Sequence, residues 1–302
     1  PAPLPNTAST SCDNRGQHTP GKCTFSTFDK HQQHSPTLTL SHVNINSITS
    51  DNKLNELHQF SSTNNIHVLG LSETKLDDTV APDLYTIDGY HTPLTRHRTR
   101  HGGGVALYIH TSLPIQRLPD LEVGGEEWIW AKVKTKSFTL VICVLYLPPN
   151  QTANRLQEFT DNLSEAVHRS KRHNPTTTLI FGDINAGNAY LDQQMISQSS
   201  GTTSFDFLLK DTAESLGLDQ LIREPTRIST NSANLRDVIF TDNPQSVQSS
   251  GTLSSFSNLD HFPIFVSLSF TLSTTHTDET KLIWDYSKMD APLMTRLLIE
   301  TD

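Results

Sequence analysis

The sequence predicts an α/β fold in which two packed β-sheets carry helices on their outer faces. Short apolar segments rich in Val, Ile, Leu and Phe recur from Leu38 onward, each bounded by Gly, Pro, Asn or Asp, which is the pattern of strands. Only three stretches show helical spacing, and they fall between those segments. With 302 residues, 34% of them hydrophobic, the chain can bury one large core or two smaller ones.

The strands are expected at Leu38–Ile45, Ile66–Leu71, Val105–Ile109, Trp128–Val133, Phe138–Leu147, Thr178–Phe181, Asp237–Phe240 and His261–Phe270. Phe138–Leu147 is almost continuously apolar, so both of its faces should be covered. Leu54, Leu57 and Phe60 mark a short helix. Leu156, Phe159, Leu163 and Val167 mark a longer one that ends in Lys171, Arg172 and His173, cations placed where the helix dipole favours them. Phe205, Leu208, Leu209, Ala213 and Leu216 mark a third helix, which Gly217 stops. No internal repeat is visible.

Residues 1–36 are rich in Pro, Ser, Thr, Asn, Gln and His and almost free of aliphatic side chains, the composition of a flexible polar leader. Cys12, Cys23, His31 and His34 lie within it, at a spacing that matches no common zinc finger. The other cysteine, Cys143, sits in an apolar run and reads as a small buried residue. No apolar run approaches the roughly 20 residues that cross a bilayer, and the first residues lack the basic and apolar regions of a secretory signal. The expected setting is intracellular, with no membrane partner. A formal charge of −9 argues against a protein that coats polyanions, although acidic ligands gathered around a cation lower the same count.

Polar residues appear where apolar runs stop. "HVNINSI" offers Asn44 and Asn46, "VLGLSETKL" Glu73, "VLYLPPN" Tyr146 and Asn150, and "LIFGDINAG" Asp183 and Asn185. "LRDVIF" adds Asp237, and "SNLDHFPIF" adds Asp260 and His261. Gly, Asp and Asn also form ordinary turns, so no single stretch decides whether it carries chemistry.

Taken in order, these segments resemble the exonuclease III / DNase I-like endonuclease–exonuclease–phosphatase superfamily over about residues 37–272. "RHGGGVALYI", "LYLPPN", "EPTR", "NLDHFPI" and the tail "IWDYSKMDAPLMTRLL" look like the apurinic-like endonuclease domain of non-LTR retrotransposons. The resemblance implies a four-layer αββα sandwich of two mixed sheets flanked by helices. It also implies that residues 273–302 are a linker leading toward a reverse transcriptase. Two departures stand out: an extra proline (Pro148, Pro149) shifts Asn150, and Leu259 replaces the small residue that often precedes the final Asp-His.

The chemistry suits these residue types. Cutting a phosphodiester needs a cation to offset charge, an activated water, and donors for the developing oxyanions. Mg²⁺, with Mn²⁺ as a substitute, is expected on Glu73 as main ligand with Asp260 and Asn44 nearby. His261 is the candidate acid/base or phosphate donor, held by Asp237, and Asp183 is placed to orient or deprotonate water. Asn44, Tyr146 and Asn185 supply donors to phosphate oxygens. Arg96, Arg98 and Arg100, packed with His97 and His101 before three glycines, form either a solvated loop or a phosphate-gripping one. The resemblance places Thr226 and Asn234 beside the scissile phosphate.

The leading expectation is therefore a metal-dependent endonuclease that nicks double-stranded DNA and leaves a 3′-OH to prime reverse transcription, acting in the nucleus. Its RNA partner would be the element's transcript, bound through the rest of a polyprotein. An abasic-site repair endonuclease of the same fold is the alternative, and a catalytically inactive nucleic-acid tether is the alternative of a different class.

Overall fold

The computed structural model describes residues 37–269 apart from residue 258; the expected leader (1–36) and the tail (273–302) lie outside the described residues. In chain order the elements are β1 (Thr37–Asn44), α1 (Asp51–Thr63), β2 (Val68–Ser72), β3 (Leu94–Arg96), β4 (Val105–Ile109), β5 (Gln116–Arg117), β6 (Glu127–Lys134), β7 (Thr139–Tyr146) and α2 (Ala153–Ser170). They continue with β8 (Thr177–Asp183), α3 (Gln193–Gln198), α4 (Ser204–Ser215), β9 (Asp219–Gln220), β10 (Arg227–Ile228), β11 (Ala233–Asn234), β12 (Asp237–Thr241), β13 (Val247–Thr252) and β14 (Ile264–Ser269).

The strands form two six-stranded sheets, ordered β13-β14-β1-β2-β4-β3 and β5-β6-β7-β8-β12-β9, while β10 and β11 pair as a separate hairpin. Both sheets are mixed: β1 runs parallel to β2 and β7 parallel to β8, and the other pairs are antiparallel. The expected α/β sandwich is the one formed.

Period-two alternation assigns the faces. On β4, Val105, Leu107 and Ile109 belong to the core between the sheets, while Ala106 and Tyr108 point outward into a second core under α1 with Leu57 and Phe60. On the other side Phe159, Leu163 and Val167 of α2 and Phe205, Leu209 and Ala213 of α4 cover the second sheet. The layers are thus helix, sheet, sheet, helices. Gly70 lets the sheets approach, because a Cβ there would lie 2.3 Å from Phe181 Cε2 and 2.7 Å from Val144 Cγ2.

Helix starts follow their caps. Ser50 and Thr152 accept from the backbone N–H of Lys53 and Arg155, and Thr203 with Asp206 forms a reciprocal capping box on α4. Gly217, at φ +67°, ends α4 as expected. The differences from expectation lie at edges. β3, β5, β9, β10, β11 and β13 are edge or hairpin strands too short or too polar to stand out. One difference matters for the site: β8 runs through Gly182 to Asp183, so that carboxylate is still strand and not turn.

Candidate active site

Parallel pairing brings strand ends together. β7 and β8 end side by side, and β12 begins beside them, so Tyr146, Asp183 and Asp237 occupy one register row across three strands. Their side chains share the face turned toward the first sheet, because Val144 and Phe181, two residues back on β7 and β8, meet Gly70 there. Opposite them, β1 ends at Asn44 beside Ser72, and Glu73 follows directly. Gly182 makes the row possible: a Cβ on it would lie 1.9 Å from the Leu145 carbonyl oxygen.

A cavity of about 270 Å³ opens at this level, lined by Asn44, Asn46, Glu73, Tyr146, Pro149, Asp183, Asn185, Arg227, Asp260 and His261. Asn44 Nδ2 donates to Glu73 Oε1 at 3.1 Å and to Asp183 Oδ2 at 2.8 Å, and the Tyr146 hydroxyl donates to Glu73 Oε1 at 3.2 Å. Asp183 Oδ1 accepts the Asn185 backbone N–H, and Asn185 Nδ2 donates to the Leu147 carbonyl. Glu73, Asn185 and Asn46 all adopt left-handed backbone, at φ +52°, +52° and +46°. That conformation is uncommon for Glu and is held by the surrounding loops.

Behind the cavity His261 Nδ1 lies 2.8 Å from Asp237 Oδ2, which also accepts the Thr226 hydroxyl at 2.7 Å. Burial alone would lower the His261 pKa, but the charge and hydrogen bond of Asp237, with Asp183 and Asp260 adding to them, push it up to about 9. Burial works the other way on Asp237 and would raise it; His261 and His42 outweigh that and hold it well below the usual carboxylate range. Asp183, buried and facing the Asp237 charge, is pushed up to about 7. Burial, then the charges of Glu73 and Asp183, raise the Tyr146 phenol, so it is a donor at neutral pH.

The expected residues Asn44, Glu73, Tyr146, Asp183, Asn185, Asp260 and His261 therefore line one cavity, with Asp237 directly behind His261. The expected metal ligands need finer reading. Asp183, Asp237 and His261 hold potential ligand atoms within 4.8 Å of one another. Asp237 and His261, however, already bind each other. The Asp260 carboxylate is exposed and engaged by Arg227, at 3.0 Å from Nε and 2.8 Å from Nη2. Glu73 Oε2 faces the cavity side, with Lys75 Nζ at 3.9 Å. Glu73, Asn44 and Asp183, joined by the Asn44 amide at the cavity wall, offer hard oxygen donors that fit a small divalent cation on the Glu73–Asn44 side.

Three expectations change. Thr226 is fully buried and its hydroxyl donates to Asp237 while receiving the Arg236 and Asp237 N–H groups, so in this structure it holds the carboxylate rather than lining the cavity surface. Asn234 is likewise buried, its Oδ1 accepting from Asn188 and from both the N–H and hydroxyl of Ser200. The arginine loop is not a set of free cations: Arg98 pairs with Glu127 at 2.7 Å, Arg100 with Asp77 at 2.6 Å, and Arg96 is half-buried on β3. The two sequence departures also find a place. Asn150 lines an adjoining cavity of about 400 Å³ with Arg227 and Arg236, and Leu259 packs into the core under α1.

Residues the sequence reading passed over include Arg227, which borders both cavities, and Asp206. The latter accepts the N–H groups of Gly187 and Asn188 and so fixes the loop that follows Asp183. His42 was also missed. It stands at the period-two position between Leu40 and Asn44, which was the available signal that it points inward.

Several solved structures share the fold. The endonuclease domain of TRAS1, a telomere-specific non-LTR retrotransposon, superposes with a TM-score of 0.58 at 16% identity, covering 78% of this chain and 99% of that one. The AP endonuclease LMAP from Leishmania major gives 0.64 at 15% identity, covering 81% and 91%. The 3′ phosphatase NExo from Neisseria, bound to product DNA hairpin, gives 0.58 at 15%, covering 77% and 99%. No curated protein sequence matches the chain. Residues 42–267 match the Endonuclease/Exonuclease/phosphatase family, and the chain belongs to it.

Proposed function

We propose that this chain is a divalent-metal-dependent endonuclease that nicks duplex DNA by phosphodiester hydrolysis, leaving a 3′-OH that primes reverse transcription of a non-LTR retrotransposon. The observation that carries the hydrolytic part is the convergence of Asn44, Glu73, Tyr146, Asp183 and the Asp237–His261 pair on one cavity. The retrotransposon part rests on the sequence resemblance, with the shared fold of the TRAS1 domain as support.

In this reading Mg²⁺, or Mn²⁺ in its place, held by Glu73 with Asn44 and Asp260, would offset the charge of the scissile phosphate. His261, protonated at neutral pH, donates to a non-bridging oxygen or to the leaving group. Asp237 keeps that imidazole charged and oriented. Asp183, its pKa near neutrality, accepts the proton of the attacking water, and Asn185 and Tyr146 donate to phosphate oxygens. The nuclease domain would span residues 37–272, with residues 273–302 leading toward a polymerase, and the protein would work on chromosomal DNA in the nucleus.

Supercoiled plasmid with Mg²⁺ should be nicked, EDTA should abolish nicking, and the nicks should be extendable by a polymerase without end repair. Nicks that need a phosphatase before extension would sink the priming role. A strong preference for an abasic oligonucleotide over intact duplex would favour repair instead. Binding without cleavage at any metal concentration would favour a tether.

A further inference from the structure

His42 lies on β1 with its side chain fully buried, between Gly70 on β2 and Ile264 on β14. Its Nδ1 is 3.4 Å from Asp237 Oδ1, on the opposite side of that carboxylate from His261. Neither ring nitrogen has a hydrogen-bond partner among the described residues, and neither has Asp237 Oδ1. An unpartnered buried carboxylate oxygen facing an unpartnered buried ring nitrogen is costly unless the two serve each other. The nearest aromatic ring, Phe181 at 6.4 Å between centroids, offers no polar atom.

We infer that His42 is a positioning residue for the proposed nuclease: its Nδ1–H donates to Asp237 Oδ1 and so fixes the carboxylate that orients His261. The inference rests on the proposed function for its consequence, but its geometry stands apart from it. Asp237 Oδ2 already takes the Thr226 hydroxyl and His261 Nδ1. Without a donor on Oδ1 the carboxylate is free to rotate about its terminal torsion and to turn Oδ2 away from His261, because such sp² torsions are soft. A donor from the other sheet closes that freedom. It also makes the two sheets meet at the carboxylate: β1 supplies His42, β12 supplies Asp237, and His261 leads into β14, the neighbour of β1.

Two measurements decide it. Nitrogen-15 spectra of histidine-labelled protein should show a proton on His42 Nδ1, whether or not the chain cuts DNA. A proton on Nε2 with none on Nδ1 overturns the inference. In nicking assays His42→Leu, which fills the space without a donor, should lower kcat about 10- to 100-fold with KM nearly unchanged. His42→Asn, whose Nδ2 can take the place of Nδ1, should recover to within about threefold of the parent. Equal losses in both variants, or none in His42→Leu, overturn it, with melting curves confirming that each variant folds. Failure of the parent to nick refutes the proposed function alone, and the tautomer still answers for His42.

Discussion

The two sheets build their sides of the cavity differently. The first sheet delivers its acidic group beyond the strand: Glu73 sits one residue past β2 in left-handed backbone, partly exposed, with no hydrogen bond to Oε2 among the described residues and Lys75 Nζ 3.9 Å away. The second sheet delivers Tyr146, Asp183 and Asp237 from within the strands, locked in one register row and almost wholly buried. A loop carboxylate with an unsaturated oxygen can adjust to a cation. A strand carboxylate cannot adjust, but its pKa can be set by what is fixed around it. In the proposed mechanism the adjustable Glu73 would hold the metal, while the strand-held Asp183 and Asp237 would set the proton chemistry, Asp237 through His261 from the segment before β14.

The largest expected effect separates those roles. Asp183→Asn and His261→Ala should each reduce kcat by about 10²–10⁴-fold, the range for a general acid or base, and added metal should not restore either. Glu73→Gln should lose activity at low Mg²⁺ and regain a substantial part as Mg²⁺ is raised. Nicking rates across a metal titration test this, and a metal-independent loss in Glu73→Gln would erase the distinction between the sheets.

Stability against pH is next in size. The Asp183 carboxyl is raised in the folded state from 3.8 to about 7 by burial first and by Asp237 second. The folded state therefore binds more protons than the unfolded state in that window, and this group makes stability fall as pH rises from about 4 to 7. His261, raised from 6.5 to about 9, contributes stability that is complete below 6.5 and is lost as pH passes 9. In EDTA, denaturant titrations should show the first decline, of order 2–4 kcal/mol, flatten in Asp183→Asn while the loss near pH 9 persists. An unchanged slope would mean that Asp183 ionises without penalty.

The contrast between sheets also explains what the sequence disclosed. Strand-borne groups were legible because Leu179, Ile180 and Phe181 announce β8 and the carboxylate follows at its end. Direction within the strand was legible by alternation, yet His42 was overlooked because a histidine among apolar residues carries no distinctive spacing. Thr226 and Asn234 show the limit. Both are near the site, but whether a side chain faces DNA or supports Asp237 depends on the β10–β11 turn and on contacts with Asn188 and Ser200, far away in sequence. The same holds for Asp260, whose pairing with Arg227 bridges 33 positions.

Thr226 allows a smaller test of how rigid the buried side is. Thr226→Val keeps the shape, removes one donor to Asp237 and leaves the Arg236 and Asp237 N–H groups without their acceptor. It should cost roughly 1–3 kcal/mol of stability and lower kcat more than it raises KM. A pure binding defect would return Thr226 to the DNA surface.

The smallest effect concerns the arginine loop, which belongs to the adjustable side. Three free arginines on phosphates would each add about 0.9 to the salt slope of DNA binding, so a triple alanine variant of Arg96, Arg98 and Arg100 would flatten it by nearly 3. Arg98 and Arg100 already hold Glu127 and Asp77, and a DNA phosphate must compete with those carboxylates. The flattening should therefore be about 1–2, with cleavage of bound DNA unchanged. Asp77 offers the converse change, since it holds Arg100 at the surface without touching the cavity. Asp77→Asn should release that guanidinium, strengthen binding a few-fold at low salt and steepen the slope by less than 1. If Asp77→Asn weakens binding instead, the Arg100–Asp77 pair shapes the loop and is not a latch on a DNA contact.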